Sequence, residues 1–150
     1  MRPYKGYIID DPNFRTLYEN TAMVVGHVYE TSYCINKLTK AEFPVFQFNS
    51  DPTCGVVGNN NDWCLIGGEV LMLRTWKDNT LRMISEIQQV FELKIVDDYE
   101  VQILTDPWSE EAAIWKLKID LEKLSNPILI TKLRDFEELR NQPYTENINW

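Results

Sequence analysis

Three phenylalanines, Phe46, Phe91 and Phe136, stand 45 residues apart, and other apolar positions recur at that offset. Val45 aligns with Val90, Val56 with Val101 and Trp63 with Trp108, while Leu38, Met83 and Ile128 are apolar at equivalent places. Such self-similarity predicts a supersecondary unit built several times, each unit burying an apolar face against its neighbour. In register the units read VGHVYETSYCINKLTKAEFPVF from Val25, VLMLRTWKDNTLRMISEIQQVF from Val70 and WKLKIDLEKLSNPILITKLRDF from Trp115. Each is an apolar run, a polar middle and a second apolar run ending in Phe. About half of the positions agree in apolar character, so the alternative is a meander of unrepeated hairpins.

Strand signals dominate. VLMLRTW, FELKIV, EVQILT, AIWKLKID and ILITKL are short, rich in β-branched and aromatic residues, and partly alternate in polarity, as half-buried strands do. VFELKIVDDYEVQIL reads as one hairpin, with a further strand expected at residues 53–58. GNNND at 58–62 and DPWSEE at 106–111 read as turns, because Asn, Asp, Gly and Pro tolerate positive φ, bond their own backbone or fix φ. Two helices are also weighed. Phe14, Leu17 and Tyr18 lie at i, i+3, i+4 after Asp11-Pro12, which predicts a short N-terminal helix over residues 13–23. Leu81, Ile84, Ile87 and Phe91 have the spacing of one helical face. The repeat favours strand there, and an α+β fold with a helix at 81–93 is the alternative. A terminal strand at 147–150 is apolar enough to dock on a sheet. The expected fold is mainly β: antiparallel sheets from consecutive hairpins, arranged as a partial propeller or sandwich-like stack.

The segment WCLIGGEVLMLRTWKDNTLRMI, with its Gly67-Gly68 step, a strand ending at Trp76 and a polar turn beyond, resembles a blade of the WD-repeat or Kelch-type β-propellers. A period in the 40s is the length of one four-stranded blade. The resemblance covers two full units and part of a third. It lacks the Gly-His and Trp-Asp dipeptides of the WD family and the paired motifs of Kelch. At this period 150 residues fall short of the four blades of the smallest closed propellers. The resemblance therefore implies a partial propeller, a stack of blade sheets, or closure by self-association through the end sheets.

Bulk properties fit one domain over residues 1–150. A chain of this length buries roughly 70% of its unfolded surface, and 44% hydrophobic with 25% charged residues is a globular composition. The longest uncharged apolar stretches, such as residues 63–68, fall far short of the ~20 residues of a membrane helix. No secretory signal is read at the N-terminus. Cys34, Cys54 and Cys64 are odd in number, which points to reduced thiols and a cytoplasmic setting.

No catalytic constellation stands out. Cys34, Cys54, Cys64 and His27 lack the paired spacing of a structural zinc site, and the Asn59-Asn60-Asn61-Asp62 run lacks the alternation of a calcium loop. The expected metal and cofactor content is none. His27, the single histidine, falls in a predicted strand, where a structural role is the simpler reading. There is no G-x-S-x-G elbow, P-loop or G-x-G-x-x-G fingerprint. Adjacent acids at Asp10-Asp11, Asp97-Asp98 and Glu110-Glu111 read as solvated turn residues, since a glycosidase needs two carboxyl groups facing one another.

Charge is the remaining global signal. Fifteen Lys and Arg against 23 Asp and Glu give a formal net charge of −8, which disfavours nucleic acid and anionic lipid and favours a basic protein partner. The expected contact surface is DPWSEE, with Asp106, Trp108, Glu110 and Glu111 as partner-binding residues, because Trp anchors interfaces and acids orient a basic partner. Against this, Trp108 is the repeat mate of Trp63, which predicts packing between repeats. The functional expectation is a non-catalytic acidic binding protein, for instance an immunity-type protein that covers a basic toxin or nuclease. The alternative is a small hydrolase using a carboxylate pair, or His27 with Cys34 or Cys64. A third is a purely structural subunit of a larger β assembly.

Overall fold

The computed structural model describes residues 6–76, 79–108, 112–120 and 128–135. They form twelve strands in three antiparallel four-stranded sheets, each built from strands consecutive in sequence. The first sheet contains β1 (Phe14–Glu19), β2 (Met23–Val28), β3 (Thr31–Asn36) and β4 (Glu42–Gln47). The second contains β5 (Cys54–Val57), β6 (Trp63–Gly67), β7 (Val70–Thr75) and β8 (Thr80–Gln88). The third contains β9 (Val90–Asp97), β10 (Glu100–Thr105), β11 (Ala113–Ile119) and β12 (Ile128–Asp135). The first strands of the three sheets, β1, β5 and β9, lie next to one another. This is the arrangement of consecutive propeller-type blades.

The second sheet is sandwiched between the other two, and its sequence shows why. Side chains alternate across a strand, so a sheet covered on one face alternates in polarity and one covered on both reads as continuous apolar sequence. Every residue of β6, WCLIG, is buried. Trp63 and Leu65 join Leu71, Leu73, Ile103 and Leu117 in the core toward the third sheet. Cys64 and Ile66 join Val25, Cys34, Val45 and Met72 in the core toward the first. The outer face of the first sheet is closed by its own N-terminal segment. Ile8, in the 3-10 turn Ile8–Asp10, is fully buried against Val24, Val28, Tyr33 and Ile35. Gly67 is a packing requirement: a Cβ there would stand 2.5 Å from Cγ1 of Val90 on the neighbouring sheet.

The mainly β fold and its blade-like sheets follow the expectation, and the EVQILT strand, the 53–58 strand and the β9–β10 hairpin appear as read. Residues 81–88 and 90–93 are strand, joined at a bend at Gln89, which removes the α+β alternative. A large register shift opposite Val70 and Met72 lets both Ile84 and Ile87 point inward from β8, which accounts for the helix-like spacing.

The N-terminal helix expected over residues 13–23 is a correction. That segment is β1 followed by the turn into β2, and the helical turn lies earlier, at Ile8–Asp10. A bulge between Thr16 and Tyr18 breaks the strand alternation, so Phe14 packs on the outer core while Leu17 and Tyr18 pack on the inner one. An extra residue in a strand turns a period of two into an apparent i, i+3, i+4 pattern.

The 45-residue offset is also corrected. The sheets begin at Phe14, Cys54 and Val90, so successive units are about 40 residues and fewer. Phe46 lies near the end of β4, the last strand of the first sheet, whereas Phe91 lies at the start of β9, the first strand of the third. Phe136 and the 147–150 strand lie outside the described residues. The offset thus links non-equivalent strands, although Val45, Val90, Val56 and Val101 are all buried.

Candidate functional site

The site at the β10–β11 turn is built on a ladder of turns at one end of the sheets. Glu69, between β6 and β7, accepts hydrogen bonds from the Asn49 amide and the Ser50 hydroxyl in the β4–β5 loop. Its carbonyl accepts from the Gln89 amide at 3.1 Å, and the Gln89 carbonyl accepts from the Asp106 amide at 2.7 Å. Asp106 Oδ1 then accepts from the Trp108 amide at 3.0 Å, an Asx turn that holds the backbone carrying the indole. Trp108 is 61% exposed and meets Phe91, 42% exposed, edge to face with ring centroids 5.5 Å apart.

The expectation that Trp108 packs between repeats, like Trp63, is therefore overturned. Trp63 is fully buried and Trp108 stands on the surface, because the offset carries a β6 position onto a turn. Of the expected contact residues, the structure brings Asp106 and Trp108 together, and Glu110 and Glu111 lie outside the described residues. Phe91 belongs to this ledge, and sequence reasoning missed it as a surface residue. Its signal was FE at the start of β9, where Val90 and Leu93 both point inward and leave Phe91 and Glu92 outside.

Glu69 couples the ladder to pH. Partial burial pushes its carboxyl up, but the bonds from Asn49 and Ser50 outweigh this and hold its pKa below the ordinary carboxylate value. A depressed pKa stabilises the fold above the unfolded-state value, ~4.3, and the contribution is lost as pH falls through the lower folded-state value. Glu69→Gln is expected to lose at most about 1 kcal/mol at neutral pH, since the group is largely solvated. The difference from the wild type should shrink as pH falls below the ordinary carboxylate range and vanish in denaturation curves taken below the lowered folded-state value. A pH-independent gap would show that Glu69 acts without its charge.

A groove of about 500 Å³ lies along the first strands of the three sheets. Leu17 and Tyr18 come from β1, Cys54, Gly55 and Val56 from β5, and Glu92, Leu93, Ile95 and Val96 from β9, with Thr53 and Asn59 at its ends. Glu92 follows Phe91 directly, so the groove opens beside the aromatic ledge. At the opposite end, Asn59 donates to Asp98 Oδ1 at 3.1 Å, and Tyr99 donates to Asp62 Oδ2 at 2.8 Å.

Two of the three thiols are shifted away from activation. Contact with Cys34 and burial push the Cys64 thiol well up, and burial pushes Cys54 up to about 12. Catalytic thiols are shifted the opposite way. His27 is buried in β2 with Nδ1 2.8 Å from the Tyr29 carbonyl. Among the described residues, no three His, Cys, Asp or Glu side chains gather as a metal site, and no helix is long and apolar enough to cross a membrane.

No family model matches the chain, and no curated protein is similar to it in sequence. Among solved structures it is similar to the crystal structure of the N-terminal domain of Nup159, a β-propeller, with a TM-score of 0.53 and 12% identity over 88% of this chain and 34% of that one. A second match, at a TM-score of 0.49 and 13% identity, covers 88% of this chain and 33% of a chain in an S. cerevisiae complex of Dbp5 with Nup159, Gle1, IP6 and ADP. The chain thus spans about a third of the length of the solved chains it matches. At this identity the likeness concerns the fold, and the conclusion it supports is that these three sheets are propeller-type blades.

Proposed function

We propose that this chain is a non-catalytic binding module that holds a basic protein partner against the ledge of Phe91, Trp108 and Asp106. The observation that carries the reading is an exposed Trp on an Asx turn that meets an exposed Phe edge to face. A rigid, amphipathic aromatic at the surface gains contact area at low entropic cost, and Trp is enriched among residues that dominate interfaces. The net charge of −8 would speed encounter with a cationic partner. The most specific form of the reading is an immunity-type protein that covers the cleft of a basic toxin or nuclease.

The test is quantitative capture by the immobilised chain, with the retained protein identified and its affinity measured. Trp108→Ala is expected to weaken binding by about thirtyfold, the scale of a ~2 kcal/mol hot spot. Asp106→Lys should slow association and flatten its salt dependence. Capture that survives both substitutions unchanged would place the interface elsewhere.

A further inference from the structure

We infer that the groove between β1, β5 and β9 binds an extended basic peptide segment, which rests on the reading of the chain as a receptor for a basic partner. The geometry asks for an extended chain. Each of these strands is the edge of its sheet and, among the described residues, has a paired strand on one side only, although at the start of β9 the Val90 amide and carbonyl already bond Gly68 and Thr53 of the second sheet. Three adjacent edges therefore turn backbone donors and acceptors toward one groove. A sheet edge is a ready template for another strand, and main-chain pairing supplies the affinity in such recognition.

The charges ask for a basic one. Glu92 lines the groove at the end beside the ledge, and at the other end β9 runs past the lining residue Val96 into Asp97 and Asp98, which accept from the Tyr99 amide and from Asn59. Between them the walls are apolar and aromatic, from Leu93, Val96 and Tyr18. From Glu92 to Asp97 the strand advances five residues, roughly 17 Å. A six-residue strand with a Lys or Arg at each end and β-branched residues between them matches that length and charge. The Phe91–Trp108 ledge would grip the partner's surface while the groove reads one segment of it.

The probe is the synthetic peptide Lys-Val-Thr-Val-Thr-Lys, titrated into the isotope-labelled full chain while its amide resonances are followed. Shifts are expected at Tyr18, Gly55, Leu93 and Val96, with affinity about tenfold weaker in Glu92→Lys. The same peptide with Glu at both ends should not bind, and N-methylation of alternate amides should abolish binding by removing the pairing donors. Shifts confined to Phe91 and Trp108, affinity unchanged by Glu92→Lys, or no binding would each overturn the inference. Trp108→Ala separates the two readings. If it abolishes partner capture while the peptide leaves the groove resonances unmoved, the ledge stands and the groove assignment falls. If the peptide occupies the groove and partner capture is insensitive to Trp108, the ledge falls alone.

Discussion

Replacing Trp63 by Ala is expected to cost about 3–5 kcal/mol, whereas replacing Trp108 by Ala leaves folding stability within about 0.5 kcal/mol. The two tryptophans are 45 residues apart and look equivalent in sequence, yet their environments are opposite. Trp63 is fully buried in the core between the second and third sheets. Its ring lies so close to Gly58 that a Cβ on that glycine would sit 2.4 Å from Cε2. Its Nε1 donates to the Asp98 carbonyl at 3.2 Å, tying β6 to the turn that joins β9 and β10. Truncation would leave a large cavity, strand that carbonyl and uncouple two sheets at once. For a chain of this size the loss corresponds to a melting temperature lower by roughly 6–20 °C. Denaturant unfolding with an unchanged m-value would report it as stability rather than altered compactness. Equal losses at both positions would restore the repeat equivalence that the structure denies.

The second large effect tests the sandwiching of the central sheet. Ile66→Asp is expected to cost at least about 4 kcal/mol at pH 7. Ile66 is fully buried in the core facing the first sheet, so an Asp there is driven to its neutral form. Protonating a carboxyl of ordinary pKa ~3.9 at pH 7 spans about three units at 1.36 kcal/mol each. The sign of the pH dependence follows from a raised folded-state pKa. The penalty is present above the unfolded-state value and is relieved as pH falls toward it. The variant should therefore regain stability relative to the wild type between pH 7 and 5. Leu65→Asp should behave alike although it points to the opposite face, because both faces of β6 are covered. Thr131→Asp on β12, which is exposed, should stay within about 0.5 kcal/mol. A tolerant response at either Leu65 or Ile66 would mean that one face of the central sheet is open.

The candidate site was legible only in part. The turn DPWSEE could be read from Asp-Pro and its flanking strands, and Asp106 and Trp108 were identifiable as a polar turn carrying an aromatic. That Trp108 is exposed was not, because its match to Trp63 argued the other way and nothing local separates a core indole from a turn indole. Phe91 escaped notice for a related reason. Its neighbours Val90 and Leu93 are both buried, and the irregular register between β9 and β10 at Thr105 is what turns Phe91 outward. The groove had no sequence signature, since its walls come from β1, β5 and β9, which are distant along the chain.

What the sequence determined by itself is most of the strands and turns, β1 excepted, through a side-chain period of two, β-branched runs and Asn, Asp, Gly or Pro between them. It also determined the double burial of the middle sheet, since a strand such as WCLIG carries no polar face to offer solvent. Tertiary structure decided where the bulges fall, and so why Phe14, Leu17 and Tyr18 form a strand in spite of their helical spacing. It decided that strands group in fours out of step with the 45-residue recurrence, and which Trp is core and which is ledge. The physical reason is the range of the interactions. Strand identity is set by neighbours a few residues away, whereas bulges, sheet boundaries and exposure are set by which distant strand completes the hydrogen bonds and covers the apolar face.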